Sequence, residues 1–463
     1  MTLREVVEAS SGELVGGRHD TESAEPFSRV VVDSRAVTPG SLFVALKGEK
    51  HDGHAFVAQT LASGAAAALV ERVPADCANG ARLIVVRNTV QALADMARFA
   101  LARQPRLEVV GITGSLGKTT TKEVVASVLS HAKRVLKSEG NLNSEIGLPM
   151  TVLNGLEPGH EIAVLEMAMY QVGDIRFLAR LAKPRIGVVT AVQPVHLERL
   201  GTIERIHQAK QELVEELPPN GVAVLNADDP RVASMATATP ARVVRYGVDA
   251  QADVRAEHIR SHGLDGVDFD LLLGSECQHV HLPLLGAQSV HAGLAAAAVA
   301  SEEGMTLAEI AGALEKLSPA LRLLVVDGIN GARIIDDSYN ASPESVVAAL
   351  NLLSELPGQR KIAVLGDMAE LGAATEPGHR RVGERAAAVV DVLVAFGPRS
   401  CITAEEARRA GLRGDQVHEA TSHDEIVELL RRELRPGDDV LVKGSLVMGM
   451  ANVVRGITAV DQG

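Results

Sequence analysis

Three glycines spaced three residues apart, followed by a lysine and two threonines, make a pattern suited to gripping phosphate: Gly111-Ile-Thr-Gly-Ser-Leu-Gly-Lys-Thr-Thr120. Glycines let a backbone approach the oxygens of a triphosphate and aim N–H groups at them, and a helix starting there adds the positive end of its dipole. Lys118 then reaches the β and γ oxygens, and the Thr119 hydroxyl is placed to hold Mg²⁺. Thr113, Gly114, Ser115, Gly117, Lys118, Thr119 and Thr120 are the expected nucleotide contacts. The strict G-x-x-x-x-G-K-[ST] spacing is missed, because Ile stands at position 112.

Metal chemistry needs carboxylates or imidazoles near those phosphates. Glu166 closes the apolar run Ile-Ala-Val-Leu, so it projects from the carboxyl edge of a strand, where doubly wound sheets bind ligands. His196 follows a second such strand after Gln193-Pro194-Val195. Singly, either residue reads as well as a solvated group; together, downstream of a phosphate loop, they read as ligands. Lys210, in an expected helix Ile203–Leu217, reads on its own as a surface lysine. Asn226-Ala-Asp-Asp-Pro230 and Asp336-Asp-Ser-Tyr-Asn-Ala-Ser-Pro343 stand at strand ends and can receive a nucleoside, since Asp and Asn accept from or donate to ribose and base.

Positioning these groups requires alternating strands and helices. Glu108–Thr113 reads as a strand, Gly114-Ser-Leu-Gly-Lys118 as a tight turn and Thr119–Ser130 as a helix with apolar Val124, Val125, Val128 and Leu129. Strand runs Glu108–Thr113, Ile162–Glu166, Ile186–Val192 and Val222–Asn226 form one series. Arg333–Asp337, Ile362–Asp367, Val392–Phe396 and Val440–Val442 form a second, so two α/β domains are expected. The tract Ala252 to Pro283 alternates apolar residues and predicts an antiparallel addition to the central domain. Before Gln104-Pro105-Arg106, the strand runs Val30–Val32 and Leu42–Ala45 flank the turn Thr38-Pro39-Gly40 and imply a smaller domain. The fold class is therefore α/β in three domains. Residues 1–105 form a small N-terminal α/β domain, 106–318 a central P-loop doubly wound, mostly parallel sheet, and 319–463 a C-terminal Rossmann-like domain.

A chain of 463 residues exceeds what one core supports, in keeping with this division. Its 46 basic against 59 acidic residues give a net charge of −13, the wrong sign for a nucleic-acid partner. Aromatic residues make up 2% with no Trp, which removes the stacking platforms of single-strand binders. The three cysteines, Cys77, Cys277 and Cys401, lack CxxC spacing, so they indicate neither a disulfide framework nor a zinc site. No signal-peptide pattern or membrane span is read, and a cytoplasmic monomer is expected.

With these residues in view, the chain resembles the Mur ligases, the peptidoglycan-precursor amide ligases, across all three inferred domains. Gly111–Thr120 is similar to that family's own variant of the phosphate loop, which accounts for the irregular spacing. The strings Asp337-Ser-Tyr-Asn-Ala-Ser-Pro343, Val364-Leu-Gly-Asp-Met-Ala-Glu-Leu-Gly372, Leu165-Glu-Met-Ala-Met169 and Asn141-Leu-Asn-Ser-Glu-Ile-Gly-Leu-Pro149 resemble the branch that takes a UDP-muramoyl-tripeptide and D-alanyl-D-alanine. Asp33-Ser-Arg35, Pro39-Gly-Ser-Leu-Phe-Val-Ala45 and Asp52-Gly-His54 resemble the domain that holds uridine diphosphate. The nearest rival is the branch adding the third amino acid, whose Asp-Asn-Pro-Arg type string is absent here. A P-loop NTPase switch is the reading from another class; its [NT]-K-x-D and D-x-x-G strings are absent too.

The resemblance implies ATP and Mg²⁺, with two ions, as cofactors and an acyl-phosphate mechanism. It implies Lys118, Glu166, His196 and Lys210 as catalytic residues, Thr119, Glu166, His196 and a carbamylated Lys210 as the metal ligands, and Asn226, Arg322 and Asp337 as further nucleotide contacts. Ser34, Arg35, Asn143 and Asn340 are implied as substrate contacts. There are departures: Gln288, Ser289 and Ala292 replace polar positions of a His-Asn-x-x-Asn string, Val195 precedes His196 where an acidic residue is common, and Ser144 replaces a frequent Asn.

Overall fold

Strand Ile162–Glu166 turns Ile162 and Val164 to one side and Ala163 and Leu165 to the other, and all four are buried. A strand apolar on both faces needs helices on both faces, the condition of a parallel sheet. The computed structural model, which describes residues 1–16, 25–48, 51–77, 80–194, 197–248, 251–318 and 324–459, meets it. Helices Lys118–Leu129, Val290–Glu302 and Leu307–Glu315 cover one face of the central sheet; Asp174–Ala182 and Ile203–Glu215 cover the other.

From edge to edge that sheet runs Glu276–Leu282, Val267–Leu273, Val254–Ser261, Arg242–Gly247, Val222–Asn226, Ile186–Val189, Glu108–Thr113, Ile162–Glu166 and Val135–Lys137. The first three are joined antiparallel, as the tract 252–283 predicts, and the remainder is parallel. Strand Glu108–Thr113 lies between Ile162–Glu166 and Ile186–Val189, so the phosphate loop leaves the sheet where crossovers diverge to either side, the position at which doubly wound sheets open a crevice. The expected strand Ile186–Val192 stops at Val189. Past it, Ala191 accepts from the Ser115 amide at 2.7 Å and the Val192 amide donates to Asp229 Oδ2 at 2.8 Å, so this backbone serves the loop and not the ladder.

A third sheet runs Leu324–Asp327, Arg333–Asp337, Asp438–Lys443, Arg360–Gly366, Val392–Phe396 and Val417–Ala420, with only its first pair antiparallel. After helix Ala451–Ile457 the chain returns to it: Thr458 bridges Gly328, and the Ala459 amide donates to Asp327 O at 2.9 Å. Among the described residues the first sheet has five strands, Glu13–Val15, Leu83–Val85, Ala67–Val70, Leu42–Val44 and Val30–Val31. Asn154 fixes it to the central domain by accepting from the Val30 amide at 2.8 Å and donating to its carbonyl at 3.0 Å. Between the central and third domains, Arg199 pairs with Glu370 at 3.3 Å and Arg399 with Glu198 at 3.6 Å.

Candidate active site

Two glycines shape the loop for different reasons. At Gly114, φ is +153° and an added Cβ would lie 1.8 Å from Thr190 Oγ1, so the loop must press against that hydroxyl. Thr190 Oγ1 in turn donates to Leu116 O at 2.5 Å, fixing the turn from the neighbouring strand end. Gly117, with φ of +76° and open space around it, is needed for its conformation alone. It caps helix Lys118–Leu129 without a side-chain acceptor, which leaves first-turn amides to face an anion.

Lys118 Nζ donates to Gly114 O at 2.9 Å and Ser115 O at 3.3 Å, curling over the loop. Burial lowers its pKa, and the Glu166 charge opposes that shift. Ser115 is bound to the following strap, donating to Gln193 O at 3.0 Å and accepting from the Gln193 amide at 2.9 Å. The Thr113 hydroxyl donates to Met167 O at 2.8 Å, while Thr120 is exposed on the first turn.

Ile112 pairs with Glu166 in the sheet register, which sets the carboxylate beside the loop's exit. Glu166 is 1% exposed, and both of its oxygens are engaged: Thr119 Oγ1 donates to Oε2 at 3.0 Å and Asn143 Nδ2 to Oε1 at 2.8 Å. Its amide donates to Ser138 Oγ at 3.1 Å. Among the described residues no three His, Cys, Asp or Glu groups converge as a cage. One carboxylate and one hydroxyl at the mouth of a phosphate loop fit Mg²⁺ instead, which keeps waters and binds through one or two carboxylates plus substrate phosphates. Val195, His196 and Arg322 lie outside the described residues.

Lys210 corrects its reading as a surface residue: it is 3% exposed. Ile206, Lys210 and Val214 fall four residues apart on the inward stripe of helix Ile203–Glu215, a periodicity that the sequence displays and that the count of charges on this helix conceals. Burial, and secondarily the charge of Lys118, lowers its pKa well below the ordinary lysine value. No carboxylate among the described residues pairs with it. A desolvated amine beside a cation favours the neutral form, the form that adds CO₂.

Asn226 is buried, donating to Thr190 O at 2.8 Å and accepting from the Asp228 amide at 3.0 Å, so it braces the strand end behind the loop. Asp337 pairs with buried Lys443 at 2.6 Å; burial raises its pKa against that ion pair. Asn340 Oδ1 accepts from the Ala341 amide at 2.9 Å, and its carbonyl accepts from Lys443 at 2.8 Å. Arg35 forks onto Asp33, 88% exposed, next to Ser34 in the turn Ser34–Ala36.

Of the departures, Ser144 accepts from the Ile146 and Gly147 amides, Ser289 donates to Gly286 O at 2.8 Å, and Ala292 is buried in the core. The structure thus gathers Lys118, Thr119, Asn143, Glu166 and Lys210, and leaves Ser34 and Arg35 on the first domain's surface. Sequence reasoning passed over Ser138, Thr190, Lys443 and Tyr339. Tyr339, from the third domain, hydrogen-bonds Asn141 and feels the charge of Glu166; burial first and that charge second raise its phenol pKa. Its signal lay inside the string Asp337–Pro343.

Three family models match in succession: "Mur ligase family, catalytic domain" over residues 26–113, "Mur ligase middle domain" over 112–300 and "Mur ligase, glutamate ligase domain" over 321–446. The UDP-N-acetylmuramoyl-tripeptide--D-alanyl-D-alanine ligase of Mycobacterium tuberculosis (strain CDC 1551 / Oshkosh) is 37% identical, over 99% of this chain and 98% of its own. The crystal structure of MurF from Acinetobacter baumannii superposes with a TM-score of 0.86 at 29% identity, covering 98% of both chains. MurF ligase from Thermotoga maritima in complex with ADP gives 0.80 at 31% identity, over 92% of this chain and 96% of its own.

Proposed function

We infer the reaction from a premise these matches establish: the chain belongs to the Mur ligase family. It is an ATP-dependent, amide-bond-forming ligase that adds D-alanyl-D-alanine to UDP-N-acetylmuramoyl-tripeptide in peptidoglycan precursor synthesis. The observation that carries the chemistry is the buried Glu166 carboxylate bonded to Thr119 and Asn143 at the mouth of the Lys118 loop.

The tripeptide carboxylate attacks the γ-phosphate, ADP leaves, and an acyl phosphate forms. The D-alanyl-D-alanine amine attacks its carbonyl carbon, losing a proton, and phosphate departs as the amide forms. Lys118 and the first-turn amides hold the transferred phosphoryl group and offset its growing charge, work that is mainly positioning and electrostatics. Thr119 and Glu166, with His196 and a carbamylated Lys210, would hold Mg²⁺, as two ions, which would supply further neutralisation of the transferred charge. Asn143 orients Glu166, and the hydrogen bond between Tyr339 and Asn141 joins the third domain to the central one near that carboxylate, which supports closure that keeps water from the acyl phosphate. Asp337 and Arg322 are assigned to the nucleotide, Ser34 and Arg35 to the uridine diphosphate and Asn340 to the substrate, whereas Asn226, first expected at the nucleotide, is committed to Thr190 O and the Asp228 amide. Water-soluble nucleotide substrates fit a cytoplasmic reaction, and net charge supports a monomer. Among the described residues no helix is long and apolar enough to cross a membrane.

ADP release is expected only when both the UDP-tripeptide and D-alanyl-D-alanine are present, with mass spectrometry finding the pentapeptide. Turnover without either substrate would favour an NTPase switch, and turnover with a single amino acid in place of the dipeptide would favour the ligase that adds the third residue. Lys210 has its own test. Purging CO₂ should lower turnover and bicarbonate should restore it, whereas Lys210→Ala should lose at least about 10- to 100-fold, the loss typical of a residue that only orients a ligand, and ignore bicarbonate. Bicarbonate-independent wild-type turnover would remove the carbamate from the site.

A further inference from the structure

The antiparallel arm of the central sheet carries a group of imidazoles and carboxylates that the ligase reaction does not use. Strand Val267–Leu273 turns Val267, Phe269 and Leu271 into the core and Asp268 and Asp270 outward. In the adjoining strand Glu276–Leu282, Val280 and Leu282 face inward and His279 and His281 outward. The register sets Asp268 opposite His281 and Asp270 opposite His279. On the other side a register shift between Glu257 and Arg260, with His258 at φ +54°, swings His258 onto the same face.

Two parallel rows result. Asp270 is bonded by His279 Nδ1 at 3.0 Å and His258 Nδ1 at 2.8 Å; Asp268 is bonded by His281 Nδ1 at 2.6 Å and His262 Nε2 at 2.9 Å. An ionised carboxylate only accepts, so each bonded ring nitrogen carries the proton and the other nitrogen of a neutral ring presents its lone pair. Hydrogen bonds from the histidines keep both carboxylates below their ordinary pKa, so they are ionised at neutral pH. A carboxylate behind a histidine N–H is the arrangement that orients a metal-ligating imidazole and raises its basicity.

The geometry points to a second metal site, separate from the phosphate loop: His279 Nε2 and His281 Nε2 chelate one borderline divalent transition-metal ion, with Asp270 and Asp268 as orienting partners and water completing the shell. Residues two apart on a strand stand about 6.8 Å apart. Zn–N bonds of about 2.0–2.1 Å in a tetrahedral shell need the two nitrogens about 3.3 Å apart, so each ring must lean by under about 2 Å. The side chains are 65% and 45% exposed, which leaves room to do so. Cysteine spacing could not reveal it, because no cysteine is required. Imidazole prefers Zn²⁺, Ni²⁺ or Cu²⁺ over the hard Mg²⁺ that the ligase uses.

The test is calorimetric titration of the full chain with NiCl₂ in a large excess of MgCl₂; Ni²⁺ is chosen because thiolates prefer softer ions. The wild type should bind one Ni²⁺ per chain through this face. The double variant His279→Ala/His281→Ala should lose this binding, and Asp268→Asn/Asp270→Asn, which keeps both rings, should bind about 10- to 100-fold more weakly. Both variants should retain wild-type melting temperature and Mg²⁺-supported ligase turnover. Unchanged Ni²⁺ binding in the histidine variant, or no Ni²⁺ binding by the wild type under these conditions, overturns the site.

Discussion

Replacing Lys118 with alanine should lower kcat by about 1,000-fold or more while the protein melts within a degree or two of the wild type. Preorganised charges on a transferring phosphoryl group contribute about 1,000- to 100,000-fold in related transfers, because the charge they meet is fully developed only in the transition state. Stability should be spared for a local reason. The ammonium bonds two loop carbonyls, and the burial that lowers its pKa penalises its charge, so its removal relieves part of what it forfeits. A coupled assay for ADP together with a thermal melt decides the matter; full turnover would take the phosphate role away from this lysine.

Glu166→Gln should cost about 100- to 1,000-fold in turnover and shift the Mg²⁺ requirement upward. The substitution is conservative in shape and informative in charge. Glutamine's carbonyl oxygen can go on accepting from Asn143 Nδ2, and its NH₂ can donate to Thr119 once that hydroxyl rotates. Every buried polar group keeps a partner, so the fold should hold while the anionic ligand is gone. Titrating activity against MgCl₂ reads the result, and an unaltered Mg²⁺ profile would dissociate this carboxylate from the metal.

Both residues are legible in the sequence because parallel strands advertise themselves. Ile-Ala-Val-Leu ahead of Glu166 and Val-Val-Gly-Ile-Thr ahead of Gly114 are apolar runs that must be buried on both faces, so the residue after each run stands at the sheet's rim. The short edge strands are harder to see. Val135–Lys137 is three residues long, and Val417–Ala420 includes His418 and Glu419, so neither repeats a pattern long enough to separate it from a loop. Strand Arg242–Gly247 escapes in the same way, with Arg at both its first and fourth positions.

Side-chain fate depends on tertiary context and is less accessible. Asn226 could be placed at a strand end, yet its commitment to Thr190 O depends on where the neighbouring strand stops. The two His-Asp-His rows show in the sequence only as alternating Asp268, Asp270 and His279, His281. Which carboxylate meets which ring depends on a register and a bulge that no single strand specifies.

The bridge between Thr458 and Gly328 has a bearing on how the third domain can be handled. Its first strand and its last described residues lie side by side, so a short peptide could join them and new ends could be opened at an exposed loop without unpairing a strand.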